Sequence, residues 1–109
     1  MSMDPYLTEA SRRRADALAY ENAADRALFS AEWALDCGNR DEAVAAYRRA
    51  ARAWSRASEL RAEAAALPGG YELDRRCVDW HRADAERCNA TADRLLYGDA
   101  AAGAGGGAA

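Results

Sequence analysis

The sequence contains no lysine, no isoleucine and no glutamine, and all 15 of its basic residues are arginine. No folding requirement accounts for these three absences together. We attribute them to codon bias in a GC-rich genome, as in a GC-rich bacterium or its phage. They therefore bear on the source of the protein and carry no information about its function.

Long hydrophobic runs are also missing, because the uninterrupted apolar stretches are short runs of alanine. A membrane-spanning helix needs about 18 consecutive apolar residues, so we expect no membrane span. The residues from Met1 to Asp4 contain no basic segment followed by an apolar one, so we expect no signal peptide. Together these features favour a cytoplasmic protein that does not engage a membrane.

The net charge is small, and cysteines are few. The net charge is −3 and the pI is near 5.1, whereas a dedicated nucleic-acid-binding domain usually has a basic excess. This balance argues against nucleic acid as the main partner. The three cysteines are an odd number, which in a reducing compartment does not predict a disulfide framework.

Capping signals are present at the helix ends that the sequence predicts. Asp4-Pro5 is typical of a helix start, because Asp accepts backbone N–H bonds and Pro needs no donor at the first helical position. Gly38 suits the left-handed residue that ends a helix. Asn39 can cap the next helix, with Glu42 as its capping-box partner.

Two further breaks complete the layout, at residues 67–70 (Leu-Pro-Gly-Gly) and at Gly98. We predict one domain, residues 1–98, followed by a disordered Ala/Gly-rich tail, residues 99–109. The predicted helices cover residues 5–37, 40–66 and 72–97. Short connections place successive helices antiparallel, so the predicted fold is an all-α antiparallel three-helix bundle.

Much of the hydrophobic content is alanine, which predicts a thin core with closely spaced helices. Large side chains are then needed as anchors, and we expect this role for the three tryptophans, Tyr20, Phe29, Tyr47 and the leucines.

Apolar residues share one face on each of the second and third helices. On helix 2 that face comprises Ala43, Tyr47, Ala50, Trp54, Ala57 and Ala64. On helix 3 it comprises Leu73, Cys77, Val78, His81, Ala85, Cys88, Ala92, Leu95 and Leu96.

Helix 1 is apolar on two sides. One arc comprises Tyr6, Ala10, Ala17, Tyr20, Ala24, Ala27, Ala31 and Leu35, and a second comprises Leu7, Leu18, Leu28 and Trp33. Both must be covered. We favour a helix 1 that lies between helices 2 and 3. The alternative is that the second arc contacts another molecule, which makes the protein a homodimer or a docking surface.

The segment from Cys37 to Ala50 resembles the turn and second helix of a tetratricopeptide repeat. In that family a Gly closes the first helix, and a small Ala, an aromatic residue and another Ala follow at spacings that Gly38, Ala43, Tyr47 and Ala50 match. The resemblance implies a helical hairpin with a third helix packed on it. It also implies a surface that binds another protein. A second copy of the motif is not found, and a bundle that merely shares the turn remains the alternative.

His81 and its neighbouring cysteines are the candidates for metal or nucleophile chemistry. Cys77 and His81 are four residues apart on one helix face and could share an ion. Cys88 is about 16 Å from Cys77 along the helix axis, too far to join them. Without a third ligand we predict no metal and no cofactor, and without an orienting group or oxyanion hole we predict no enzyme activity.

The predicted function is therefore protein–protein contact, by an interaction module or a small inhibitor or adaptor. The first candidate surface is an arginine stripe on helix 2, for an acidic protein partner or, as the alternative function, nucleic acid. The second is a pair of tryptophans at the edges of the apolar faces. The candidate partner-binding residues are Arg48, Arg49, Arg52, Arg56, Trp33 and Trp80.

Overall fold

The computed structural model describes residues 8–98, which form three helices joined by two short connections. The helices are α1 (Glu9–Asp36), α2 (Arg40–Ala66) and α3 (Glu72–Tyr97). Because α1 packs against α2 and α2 against α3, the described chain is an all-helical antiparallel three-helix bundle, as predicted. None of these three helices combines the length and the hydrophobicity that crossing a lipid bilayer requires.

The first helix begins later than the Asp4-Pro5 signal predicts. Thr8 has an extended backbone, and its hydroxyl oxygen accepts a hydrogen bond from the backbone N–H of Ser11. Thr8 is therefore the N-cap, and the helix that contains Glu9 does not continue back through residue 8. The predicted start itself lies outside the described residues, as does the predicted tail at residues 99–109.

The other helix ends follow the capping signals. Gly38 has a φ of 77° and Gly98 a φ of 85°, which are left-handed conformations that glycine adopts without a steric penalty. The Asn39 side chain accepts a hydrogen bond from the backbone N–H of Glu42. The Glu42 carboxylate pairs instead with Arg49, so Asn39 caps α2 through its own side chain.

Alanine forms most of the core. On α1 the residues with no exposed surface recur every seven positions, at Ala10, Ala17, Ala24 and Ala31. On α2 the buried face is wide and includes Ala43, Ala46, Ala50, Ala57 and Ala64. Such seams let helix backbones approach closely, which gives a thin core.

Close approach also explains which expectations about the core were wrong. Trp54 is 8% exposed, but Tyr20, Phe29 and Leu73 are 41%, 70% and 56% exposed, so these three are not core anchors. A seam lined by alanine has no room for side chains of that size, and they lie at its edges or outside it.

The middle position belongs to α2 and not to α1, because α2 packs against both other helices. The prediction that α1 lies between its neighbours was therefore wrong. On the second arc of α1, Leu28 packs partly against the core, whereas Leu18 and Trp33 are 52% and 63% exposed.

Candidate functional site

A chain of charged side chains runs through the interior and joins the three helices. Arg14 and Glu21 come from α1, Arg61 from α2, and Asp74 and His81 from α3. Contacts link them in the order Arg14, Asp74, Arg61, Glu21 and His81. We call this set the ionic cluster.

Asp74 is the most enclosed member of the ionic cluster, with no exposed surface. Its carboxylate accepts hydrogen bonds from Arg14 at 2.8 and 3.1 Å, from Arg61 at 2.9 Å and from the backbone N–H of Tyr71 at 3.0 Å. Burial by itself raises the pKa of Asp74, but these donors outweigh it and lower the pKa to about 2. Asp74 is therefore ionised at neutral pH and anchors the first turn of α3 to both other helices.

Arg61 connects the two halves of the cluster. Its guanidinium donates to both Glu21 carboxylate oxygens, at 2.8 and 2.9 Å, and to Asp74. The hydrogen bond to Glu21 is the main reason that the pKa of Arg61 is raised. Burial raises the pKa of Glu21, yet hydrogen bonds from Arg61 and His81 lower it overall, so the carboxylate stays charged.

His81 ends the cluster and lies against the core. Its Nε2 is 2.6 Å from Glu21 Oε2, and its ring stacks on Trp54 with ring centroids 4.8 Å apart. Its Nδ1 is buried and forms no hydrogen bond with any described atom, although Asp84 Oδ2 is 3.6 Å away. The ring is thus held with one nitrogen toward α1 and the other toward Asp84.

Cys77 lies one helical turn before His81 and belongs to the same neighbourhood. Its Sγ, one Glu21 carboxylate oxygen and one His81 ring nitrogen all lie within 4.8 Å of one another. Cys88, in contrast, packs in the alanine core with Ala24 and Ala85. Burial is the main reason that the pKa of both thiols is raised, which makes them poor nucleophiles.

The fold thus supplies a third donor, Glu21, that sequence spacing did not provide for Cys77 and His81. The sequence nonetheless contained a pattern that predicts the whole ionic cluster, because its charged residues fall on the apolar faces of the helices. Arg61 falls on the apolar face of α2 between Ala57 and Ala64, and Glu21 and Asp74 fall on the buried faces of their own helices. A charged residue on an apolar face needs a buried partner of opposite charge, so their coincidence predicts an internal ionic network.

The arginine stripe on α2 is largely paired within the molecule. Arg48 donates to Asp93 at 2.7 Å and to Asn89 at 3.0 Å, Arg49 pairs with Glu42 at 3.3 Å, and Arg56 pairs with Glu59 at 2.9 Å. Arg52 is exposed. Since Arg48 turns toward α3 and Arg49 toward the start of α2, these side chains do not form one continuous cationic surface.

The predicted tryptophans are exposed and lie on different helices. Trp33 on α1 is 63% exposed and Trp80 on α3 is 54% exposed. Trp33 and Phe29, one turn earlier, line a groove of about 540 Å³ at the α1–α2 connection. The remaining lining residues are Ser30, Ala34, Cys37, Asn39 and Glu42. We call this the aromatic groove. The sequence predicted Trp33 both as a core anchor and as an interface candidate, and Phe29 as a core anchor; both are exposed, so neither is a core anchor.

Comparison with protein-family models, with curated protein sequences and with solved structures finds no match to this chain.

Proposed function

We propose that this chain is a non-catalytic protein–protein interaction module, such as a small inhibitor or adaptor, and that it binds its partner through the aromatic groove. The observation that carries the proposal is the exposure of Phe29 and Trp33, 70% and 63%, on adjacent turns of one helix. Two large aromatic side chains that line a groove and are exposed to water contribute favourable free energy when another molecule buries them, and such exposed apolar surface is typical of an interaction site.

The surroundings of the groove support this assignment. Aromatic anchors beside a few polar groups are typical of the centre of a protein interface. Here Asn39 and Glu42 supply polar groups at the start of α2, and Ala34 also lines the groove.

The tetratricopeptide resemblance is part of the same proposal. Ala43 and Ala50 have no exposed surface and Tyr47 is half-buried, which suits the small–aromatic–small order of that motif. On this proposal the hairpin formed by α1 and α2 presents the binding surface, with α3 as support.

A comparison of two tryptophan substitutions tests the assignment. Trp33→Ala removes one aromatic anchor of the groove, and Trp80→Ala removes a comparably exposed tryptophan that is not among the lining residues. We expect a protein captured from a lysate of the source organism by the wild type to be retained by Trp80→Ala and lost by Trp33→Ala. Circular dichroism controls for folding, and equal capture by Trp33→Ala and the wild type contradicts the proposal.

Sedimentation of the purified protein adds a second readout, because the partner can be another copy of the chain. A dimer that dissociates on Trp33→Ala places the groove, and with it the second arc of α1, in a homodimer interface. A monomer directs the search to a different protein.

Nucleic-acid binding through the arginine stripe is the alternative function, and the pairing of Arg48, Arg49 and Arg56 disfavours it. Binding of this kind depends on free cations that displace counterions from phosphates, so it is strongest at low salt. We expect no retention of DNA or RNA at low ionic strength. Retention that disappears when Arg48, Arg52 and Arg56 are replaced by Glu supports the alternative.

A further inference from the structure

We propose that Glu21, Cys77 and His81 form a binding site for a divalent transition-metal ion of the zinc type, which ties α1 to α3. The inference goes beyond the interaction surface and does not depend on it. It stands on geometry, because an oxygen, a sulfur and a nitrogen from two helices lie within 4.8 Å of one another in a partly buried position.

The donor set and its spacing suit zinc. Carboxylate oxygen, thiolate sulfur and imidazole nitrogen bind Zn²⁺ at about 2.0–2.3 Å in a tetrahedral arrangement, which places ligand atoms about 3.3–3.8 Å apart. The three donors lie within 4.8 Å of one another, so side-chain rotations must close the wider gaps and open the 2.6 Å contact between Glu21 and His81 to reach this spacing. Three protein ligands leave the fourth position to a water molecule.

The groups behind the donors also match a metal site. Metal-bound histidines usually present their second ring nitrogen to a carboxylate, and His81 Nδ1 lies 3.6 Å from Asp84 Oδ2. Asp84 is itself paired with Arg87. Ligating carboxylates are usually held by a further hydrogen bond, which Arg61 donates to Glu21. The buried Nδ1 of His81, which bonds with no described atom, gains a role when the ring binds an ion through Nε2.

The proton balance is simple. The ion binds the thiolate of Cys77, so the thiol proton leaves for solvent. Without metal, His81 Nε2–H donates to Glu21 Oε2 at 2.6 Å. On binding, that proton leaves Nε2 for solvent, the Nε2 lone pair goes to the ion, and the neutral ring carries its one proton on Nδ1, toward Asp84, by exchange with solvent. Because the Cys77 thiol must lose its proton to bind the ion, metal affinity should increase with pH.

The charges around the site allow an ion of this charge. The two arginines of the cluster, Arg14 and Arg61, are matched by Asp74 and Glu21. The thiolate that forms on binding adds one negative charge beside the ion. Guanidinium groups that remain paired with Asp74 can stay in place while Glu21 turns one oxygen toward the metal.

Cobalt titration of the metal-free full-length protein tests the site directly. Thiolate bound to Co²⁺ gives a near-ultraviolet charge-transfer band, and Cys37, which is exposed, is replaced by Ser beforehand to remove an adventitious thiol. In this background we expect one equivalent of Co²⁺ to give the band and Zn²⁺ to abolish it by competition. Cys77→Ser should remove the band or weaken binding at least about tenfold, whereas Cys88→Ser, a matched buried cysteine on the same helix, should leave it unchanged.

A measurement on the unsubstituted protein covers the case in which Cys77→Ser does not fold. Zinc should slow the alkylation of Cys77, read by peptide mass mapping, without a comparable effect on Cys88. A cobalt spectrum without a thiolate band, a band that survives Cys77→Ser, or equal alkylation of Cys77 with and without zinc overturns the proposal.

Discussion

Replacing Asp74 by Asn should be among the most destabilising isosteric changes in this protein. The carboxylate has no exposed surface and accepts hydrogen bonds from Arg14, Arg61 and the backbone N–H of Tyr71. Asn keeps the shape but removes the charge and turns a donor toward groups that are themselves donors. Arg14 and part of Arg61 then lose their anionic partner inside the fold.

Two routes give the size of the effect. The pKa of Asp74 falls from 3.8 to about 2 on folding, and this difference corresponds to about 2 kcal/mol of stability at neutral pH. Removing one member of a buried ion pair usually costs about 3–5 kcal/mol. Because the Arg14 side chain is 24% exposed and keeps some hydration, we expect a loss between these values.

The pH dependence follows from the direction of the shift. Since the folded-state pKa is the lower one, the contribution of Asp74 is complete above about pH 4 and is lost as the pH falls toward 2. The difference in unfolding free energy between the wild type and Asp74→Asn should therefore be largest near neutral pH and shrink in acid.

Urea unfolding followed by far-ultraviolet circular dichroism measures this at pH 7 and at intervals down to pH 2. The matched control is Asp93→Asn, the same substitution on the same helix in a half-exposed pair with Arg48, which should cost less than about 1 kcal/mol. Equal losses for the two variants, or a difference between wild type and Asp74→Asn that does not change with pH, would refute the reasoning.

Further predictions concern the seams and turns, with stability again read from urea unfolding. Ala17→Leu, on the fully buried face of α1, should cost about 1–3 kcal/mol, whereas Ala19→Leu at an exposed position should change stability by less than about 0.5 kcal/mol; equal effects contradict an alanine-lined seam. Gly70→Ala places a Cβ 2.4 Å from the Ala64 carbonyl oxygen and should cost about 2–3 kcal/mol. Gly38→Ala has open space and only its left-handed backbone to oppose it, so it should cost about 1 kcal/mol; a larger loss than for Gly70→Ala contradicts this ranking.

Local signals predicted much of the fold because helix ends depend on residues that are close in sequence. The bounds of α2 and α3 agree with the predicted ones, since Asn39, Gly38 and Gly98 act on backbone groups within one turn. Thr8 was missed as the N-cap because Asp4-Pro5 is a stronger start signal on the same reasoning.

Periodicity identified the alanine faces but not which large residues they exclude. Leu73 was expected on the buried face of α3 and is 56% exposed, because it lies in the first turn, where no neighbouring helix covers it fully. Periodicity also could not predict which helix lies in the middle. An apolar arc on α1 indicates that something covers it but does not identify the covering element.

The candidate site residues, too, were predicted where the signal lies within one helix and missed where it depends on a second helix. Trp33 could be singled out from its position opposite the alanine arc, and it is exposed in the fold. Arg48 appeared as a free cation on a wheel because its acidic partner, Asp93, lies on α3, where one helix cannot place it. The partners of Arg49 and Arg56 lie on α2 itself, one or two turns away, and the sequence could have shown them.

What the sequence by itself determined is the set of three helices, their ends apart from the start of α1, and the close alanine seams between them, because these follow from backbone capping and from side-chain size at fixed periods. What only the tertiary structure decided is which charged groups meet inside. Glu21 and His81 are 60 residues apart, and nothing local brings them together. The packing of α1 and α3 on the two sides of α2 places them beside Arg61 and Cys77, and burial then makes the pairing obligatory.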